Sequence, residues 1–357
     1  MRTSLAGPAF GAAVVLLIVA GCNGAGTQLQ LAPSNPLQTN SMHSGTIPAF
    51  GQGLSPDFTG GTPLVHPAKG RSWMSAAANP DNLLYVSDTF ASVVNIYSWR
   101  LLKPAKGVGQ LTGFSLPYTF CVDKAQNVYV ADLGLREVLE YTHGGTTPIK
   151  TLRSRNGYTI SCSIDPTTGN LAVANFKGFP RGAGSVLVYS GASGTPTVYT
   201  APHLRRYWFV AYDANGNLFV NGVGGSAVGL AELPAGGSSF KAITTDVAIG
   251  FPGGVQWDGK YLDVGDQSTS TIYQFTVSGR NATEEGSLSL TGAIDVLQFF
   301  VPKFGPGKTR LQGNRIVAAD FMAGTANKYL YPAGGDPTKT IGGLDEPQGV
   351  IVSEGKK

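Results

Sequence analysis

A short apolar run ending in Asp or a close substitute recurs six times along this chain. The copies are Leu84-Tyr-Val-Ser-Asp88, Val128-Tyr-Val-Ala-Asp132, Leu171-Ala-Val-Ala-Asn175, Leu218-Phe-Val-Asn-Gly222, Leu262-Asp-Val-Gly-Asp266 and Ile316-Val-Ala-Ala-Asp320. Their last residues lie 44, 43, 47, 44 and 54 positions apart. A period of roughly 40–50 residues built from short β-type runs belongs to propeller blades rather than to a solenoid of short coils.

Each copy carries the same neighbours. Ahead of it comes another apolar run closed by an Asp/Gly/Asn turn, as from Cys121-Val-Asp123 to Asn127 or from Ala211-Tyr-Asp213 to Asn217. Such residues tolerate positive φ and close a hairpin tightly. Behind it comes a third run (Val186–Tyr189, Ile272–Phe275), a Gly-rich turn, and a short fourth run such as Ile149–Leu152. The central runs are apolar at consecutive positions, which fits sheets packed on both faces. One thin sheet cannot bury two faces by itself, whereas a closed ring of them can. The reading is therefore all-β: a six-bladed β-propeller of four-stranded antiparallel blades, with seven blades as the alternative if residues before Arg71 complete another. The leftover run Gln348-Gly-Val-Ile-Val352 is expected to close the ring against the N-terminal side. We number the repeats 1 to 6 by their motif runs.

These Leu-Tyr-Val-Ala-Asp-like strands resemble the six-bladed propellers with NHL-type repeats and the gluconolactonase-like superfamily over about four-fifths of the chain. The resemblance implies architecture more than function, because propellers host many unrelated roles. One activity it implies is lactone hydrolysis with a divalent metal held by oxygen ligands from several blades. The loops leading into the first strands offer Asp295 and Glu346 for that, and no family ligand maps residue by residue.

The N-terminus predicts export. Met1-Arg2 is followed by an apolar run from Phe10 to Ala20, too short to span a bilayer but suited to a signal core, and then by Val19-Ala-Gly-Cys22. This looks like a bacterial lipobox, with residues 1–21 removed and Cys22 lipidated. Acyl chains such as palmitate contribute on the order of 0.8 kcal/mol per buried methylene. Asn23 in place of Asp leans toward the outer membrane, on its periplasmic face or at the cell surface. Residues 22–70 read as anchor and flexible tether, since 23–56 hold no charged side chain and are crowded with Gly, Pro, Ser and Thr. Residues 71–357 are the propeller, one large domain expected to act as a monomer.

A net charge of +4 without any Lys/Arg run excludes a nucleic-acid surface. Gly305-Pro-Gly-Lys-Thr309 lacks the opening Gly of a phosphate loop, and Gly222-Val-Gly-Gly-Ser-Ala227 leads to another strand instead of a helix, so it is a hairpin turn. The four histidines, His43, His66, His143 and His203, show no zinc spacing. The repeated Asp residues read as caps on adjoining turns rather than metal ligands. Cys121 and Cys162, two and three residues ahead of Asp123 and Asp165, are expected on opposite faces of their strands and hence as two small buried residues rather than a bridge. Nothing calls for a cofactor, metal or catalytic group.

What remains is the mouth of the central channel, where the loops leading into the innermost strands converge. They carry Arg71 and Trp73, Tyr118, Tyr158, Arg205-Arg206-Tyr207-Trp208, Phe251-Pro252, Asp295 and Gln348. Aromatics with a few Arg can hold a protein or saccharide ligand by stacking and hydrogen bonding. Trp73, Tyr118, Tyr158, Arg206, Tyr207 and Trp208 are the candidate ligand-binding residues; the competing reading is that the aromatics plug the channel and pack between blades.

Overall fold

The computed structural model describes residues 70–78, 80–100, 106–154, 157–178, 182–302 and 314–355. The expected signal segment, Cys22, the tether up to residue 69, His43, His66 and the Gly305–Thr309 loop lie outside them. Among the described residues the chain is β apart from two single turns of 3-10 helix, Ala76–Ala78 and Ser190–Ala192.

Repeats 2 to 6 each form a four-stranded antiparallel meander in chain order. Repeat 2, for example, runs Pro117–Val122, Val128–Asp132, Glu137–Tyr141 and Lys150–Arg153. Its motif strand is buried at every position, while the outermost strand buries only Leu152 fully. That gradient explains the sequence: a central strand packs on both faces, whereas an outer edge carries charges that discourage pairing with other chains.

Repeat 1 is assembled from both ends of the described chain. Its innermost strand is Val350–Ser353, which pairs antiparallel with Leu83–Asp88 through Leu84↔Val352 and Tyr85↔Ile351. The leftover apolar run thus closes the ring as expected. A fifth strand, Trp73–Met74, lies at the far outer edge against Gly107–Leu111.

One expectation needs correction. The sequence predicts six, or seven, separate four-stranded sheets; the hydrogen bonds make five, because repeats 4 and 5 merge into one eight-stranded sheet and repeat 1 is five-stranded. The junction is a parallel pairing of Lys241–Thr245 with Asn281–Ser289, through Thr244↔Asn281 and Thr245↔Ala282. The cause is length: the outer hairpin of repeat 5 has strands of 8 and 9 residues, the latter the longest among the described residues, and its last strand reaches its neighbour's edge.

The innermost strands pack side by side in a cycle: Pro117–Val122, Thr159–Ile164, Arg206–Tyr212, Pro252–Trp257, Val296–Phe300, Val350–Ser353, and back to Pro117–Val122. The arrangement is propeller-like. Side chains tie each repeat to the backbone of the next: Ser87 Oγ donates to Tyr118 O (2.8 Å), Thr119 Oγ1 to Ile160 O (2.7 Å), Ser161 Oγ to Trp208 O (2.8 Å), Asn221 Nδ2 to Gly253 O (2.8 Å) and Gln256 Nε2 to Val301 O (2.6 Å). Gln298 locks the last gap. Its Nε2 donates to Phe120 O (2.8 Å), and its Oε1 accepts the N–H groups of Phe120 and Val350.

A second correction concerns the cysteines, which form a disulfide with Cα atoms 5.5 Å apart. Cys121 pairs with Tyr129, the second residue of its motif strand, and Cys162 with Val173, the third of its own. They do point to opposite faces of equivalent strands. In a ring, however, the forward face of one sheet meets the backward face of the next, so opposite parity on neighbouring repeats brings the two sulfurs together.

Candidate functional site

In each of repeats 2 to 6 the innermost strand carries one extra residue where it begins. Pro117 pairs with Asp132 but Thr119 with Ala131, which leaves Tyr118 bulged. Trp208 and Phe209 together oppose Asn221, and Leu297 and Gln298 together oppose Ala319. A bulge bends the strand and re-aims the side chain it carries. The strands therefore turn selected residues out of the regular ladder at one end of the ring.

The Asp at the end of each motif strand holds this end together. Asp132 accepts the N–H groups of Ser115, Leu116 and Leu135 at 2.8, 3.1 and 2.9 Å. Asp266 does the same for Gly250, Phe251 and Ser268, and Asp320 for Ile294, Asp295 and Ala323. In repeat 1 Asp88 takes the N–H of Asp345 at 2.7 Å, just ahead of the closing strand. These carboxylates cap the loops that carry the mouth residues, as their repetition predicts.

One side of the mouth is rich in acceptors. Tyr118 is fully enclosed; burial raises its phenol far above the usual value, and the nearby carboxylates of Asp295 and Glu346 raise it further. The Asp295 carboxyl is pushed up to about 7, by burial first and then by the Asp320 charge. Glu346 also rises to about 7, by burial and then by Asp345. Asp295 Oδ1 is buried without a hydrogen-bond partner, and so is Oε1 of Gln348, whose residue is 3% exposed. Buried acceptors left unpaired are unusual and costly, on the order of 1–3 kcal/mol each.

The other side is aromatic. Trp208 meets Phe176 and Phe251 edge-on, with ring centroids 5.0 and 5.2 Å away, and its Nε1 is buried without an acceptor. Arg206 lies 5.7 Å over the Phe176 ring and Lys177 5.7 Å over Tyr158. The guanidinium of exposed Arg206 thus continues the aromatic wall toward solvent. No three His, Cys, Asp or Glu side chains come together as a metal-binding group among the described residues.

The structure gathers only part of the predicted set. Tyr118, Tyr158, Arg206 and Trp208 belong to the mouth, together with Asp295, Glu346 and Gln348. Tyr207 is turned away: it is 1% exposed and its hydroxyl accepts the N–H of Ala201 at 2.6 Å, so it packs between repeats. Trp73 is not brought to the mouth at all, since its strand is the outermost of its sheet and it is 48% exposed there. Phe176 and Gln298 join the site without a signal in the sequence. Phe176 follows a motif strand rather than preceding an innermost one, and nothing in the sequence distinguishes Gln298 from other strand residues.

No protein-family model and no curated protein matches the chain. Solved structures resemble it in fold. A chain of the nidogen/laminin complex aligns with TM-score 0.58 at 13% identity, over 76% of this chain and 98% of that one. A protein of unknown function from Bacteroides caccae gives 0.57 at 13% identity, over 76% and 99%. A functionally unknown protein from Desulfotomaculum acetoxidans DSM 771 gives 0.52 at 10% identity, over 77% and 100%. At such identities the likeness concerns the β-propeller fold alone.

Proposed function

We propose that this chain is a membrane-tethered, extracytoplasmic binding module: a six-bladed propeller of the NHL or gluconolactonase-like kind, anchored through lipid on Cys22, that receives a protein or saccharide ligand at its channel mouth. In this reading the eight-stranded sheet is two blades joined at their outer edges. The unbroken cycle of six innermost strands supports that count.

The observation that carries the binding role is a set of three unpaired buried polar atoms at the mouth: Asp295 Oδ1, Gln348 Oε1 and Trp208 Nε1. Two acceptors face a ligand's donors and the indole N–H faces an acceptor, beside an aromatic wall that takes an apolar face. Lactonase chemistry would need further oxygen ligands beside Asp295 and Glu346 to hold a divalent ion.

The test is a glycan and peptide array probed with the purified protein, paired with elemental analysis. A retained ligand that Trp208→Ala and Asp295→Asn each release supports the module. One stoichiometric divalent ion, with lactone turnover that Asp295→Asn abolishes, would replace it with the hydrolase. For the anchor, Cys22→Ser is expected to shift the protein out of the membrane fraction; unchanged fractionation would refute lipidation there.

A further inference from the structure

A second cleft lies away from the mouth, between repeats 4 and 5. It has a volume of about 720 Å³ and is flanked by the turns that begin at Asp213 and Asp258. Neighbouring blades ordinarily splay apart toward the rim. Here the parallel pairing of Thr244 with Asn281 and Thr245 with Ala282 stitches the outer strands together, and Thr244 N–H donates to Arg280 O at 2.8 Å. The splayed gap becomes a cleft bounded on its outer side, of a size that suits a small ligand.

The lining is rich in donors. Its cations are Lys241, Lys260 and Arg280, and its acids are Asp213 and Glu232. Neither acid is spare. Asp213 accepts the N–H groups of Asn215 and Asn217 and the Asn217 amide within its own turn. Glu232 stands directly opposite Lys241 on the adjoining strand. The three cations thus outnumber the two lining acids by one. Lys260 lies 4.3 Å over the Tyr261 ring with Asp258 and Glu285 near it. Arg280 Nε donates to Ala242 O at 3.3 Å, beside Trp257, whose buried indole N–H has no acceptor. Trp257 and Phe219 add flat apolar surface to the same walls. Flat aromatic faces suit the apolar face of a sugar ring, and exposed cations at the rim with an indole donor suit carboxylate oxygens.

We propose that this inter-blade cleft binds acidic saccharides, with Lys260 and Arg280 holding a uronate carboxylate and Trp257 stacking on a sugar ring. It is a site separate from the mouth, and its occupancy does not depend on what the mouth takes.

The experiment titrates the full chain with trigalacturonate, neutral cellotriose and inorganic phosphate, followed by calorimetry and indole fluorescence. Saturable trigalacturonate binding is expected with a Kd of ~1 mM or tighter, at least about tenfold tighter than cellotriose. It should weaken as salt rises. Lys260→Ala combined with Arg280→Ala should lower the affinity about tenfold or more while leaving the thermal melt within a few degrees of the parent. Trp257→Phe retains an aromatic face and removes the N–H, so a smaller loss is expected. Three results would each overturn the assignment: no saturable binding, equal affinity for cellotriose, or trigalacturonate binding that survives the double variant. Phosphate binding as tight as the trisaccharide would do the same, by showing a plain anion site.

Discussion

The two sides of the ring hold their mouth loops by different means. In repeats 1, 2, 5 and 6 a buried Asp at the end of the motif strand gathers backbone N–H groups from the loop leading into the innermost strand. Repeat 3 has Asn175 there, whose side chain, among the described residues, accepts from the Ser154 hydroxyl at 3.0 Å. Repeat 4 has Gly222, and backbone pairing continues where a carboxylate would otherwise cap: Arg206 pairs with Val223 and Tyr207 with Gly222. Asn221 contributes by accepting the N–H of Phe209 at 2.9 Å. Glycine makes this possible, since a Cβ on Gly222 would fall 2.1 Å from Arg206 O. The same two repeats supply Tyr158, Phe176, Arg206 and Trp208. Where the repeat gives up its charged cap, the loops are held by close backbone approach and aromatic packing, and the aromatic wall of the mouth is built from that material.

This contrast can be broken most severely at Gly224, where a Cβ would lie 1.4 Å from His203 O. Gly224→Ala should force the backbone apart and cost about 4 kcal/mol in urea unfolding, with the Trp208 environment disturbed. Asp132→Ala comes next. It strands three N–H groups, one buried and two partly buried, and should cost about 3 kcal/mol; a loss under about 1 kcal/mol would mean the carboxylate is not what holds the loop. Opening the clip between repeats 2 and 3 with Cys162→Ser should cost about 2–3 kcal/mol, and the reduced parent should match it. Asn175→Ala, which removes only a neutral hydrogen bond, should cost about 1 kcal/mol.

The smallest effect is the pH dependence of the acceptor side. Asp295 and Glu346 hold their protons more tightly when folded, with values near 7 against ordinary carboxyl values near 4. Their contribution is therefore full below about pH 4 and is lost as pH rises through about 7, a fall on the order of 1 kcal/mol after solvent screening. Asp263, whose carboxyl burial raises strongly in the same direction, adds to the trend from the junction of repeats 5 and 6. Asp295→Asn should flatten the profile measured by denaturation at pH 4, 6 and 8; an unchanged slope would remove Asp295 from the account.

Much of this was legible in the chain itself. The repeated Asp announced both the architecture and its own capping task, because one residue type at one position in successive units implies one backbone duty. The closing strand was legible because Val350, Ile351 and Val352 formed an apolar run without a partner nearby. Other features had no local signal. Tyr118 and Trp208 are turned out by bulges that depend on register across the ladder. The merger of repeats 4 and 5 depends on how far one hairpin projects in space. Cys121 and Cys162 meet across two sheets, so strand parity within a single sheet does not reveal their pairing. Trp73 misled because nearness in sequence to an early loop says nothing about which edge of the sheet its strand joins.

The seam between Leu83–Asp88 and Val350–Ser353 unites residues 264 to 270 positions apart. Until Val350–Ser353 docks, the strand Leu83–Asp88, buried at all six positions in the finished fold, lacks its inner partner. For that interval it is an open apolar edge, the state most prone to self-association. Chaperone dependence in the cell should therefore be governed by this one delayed handshake, more than by the stability of any single sheet.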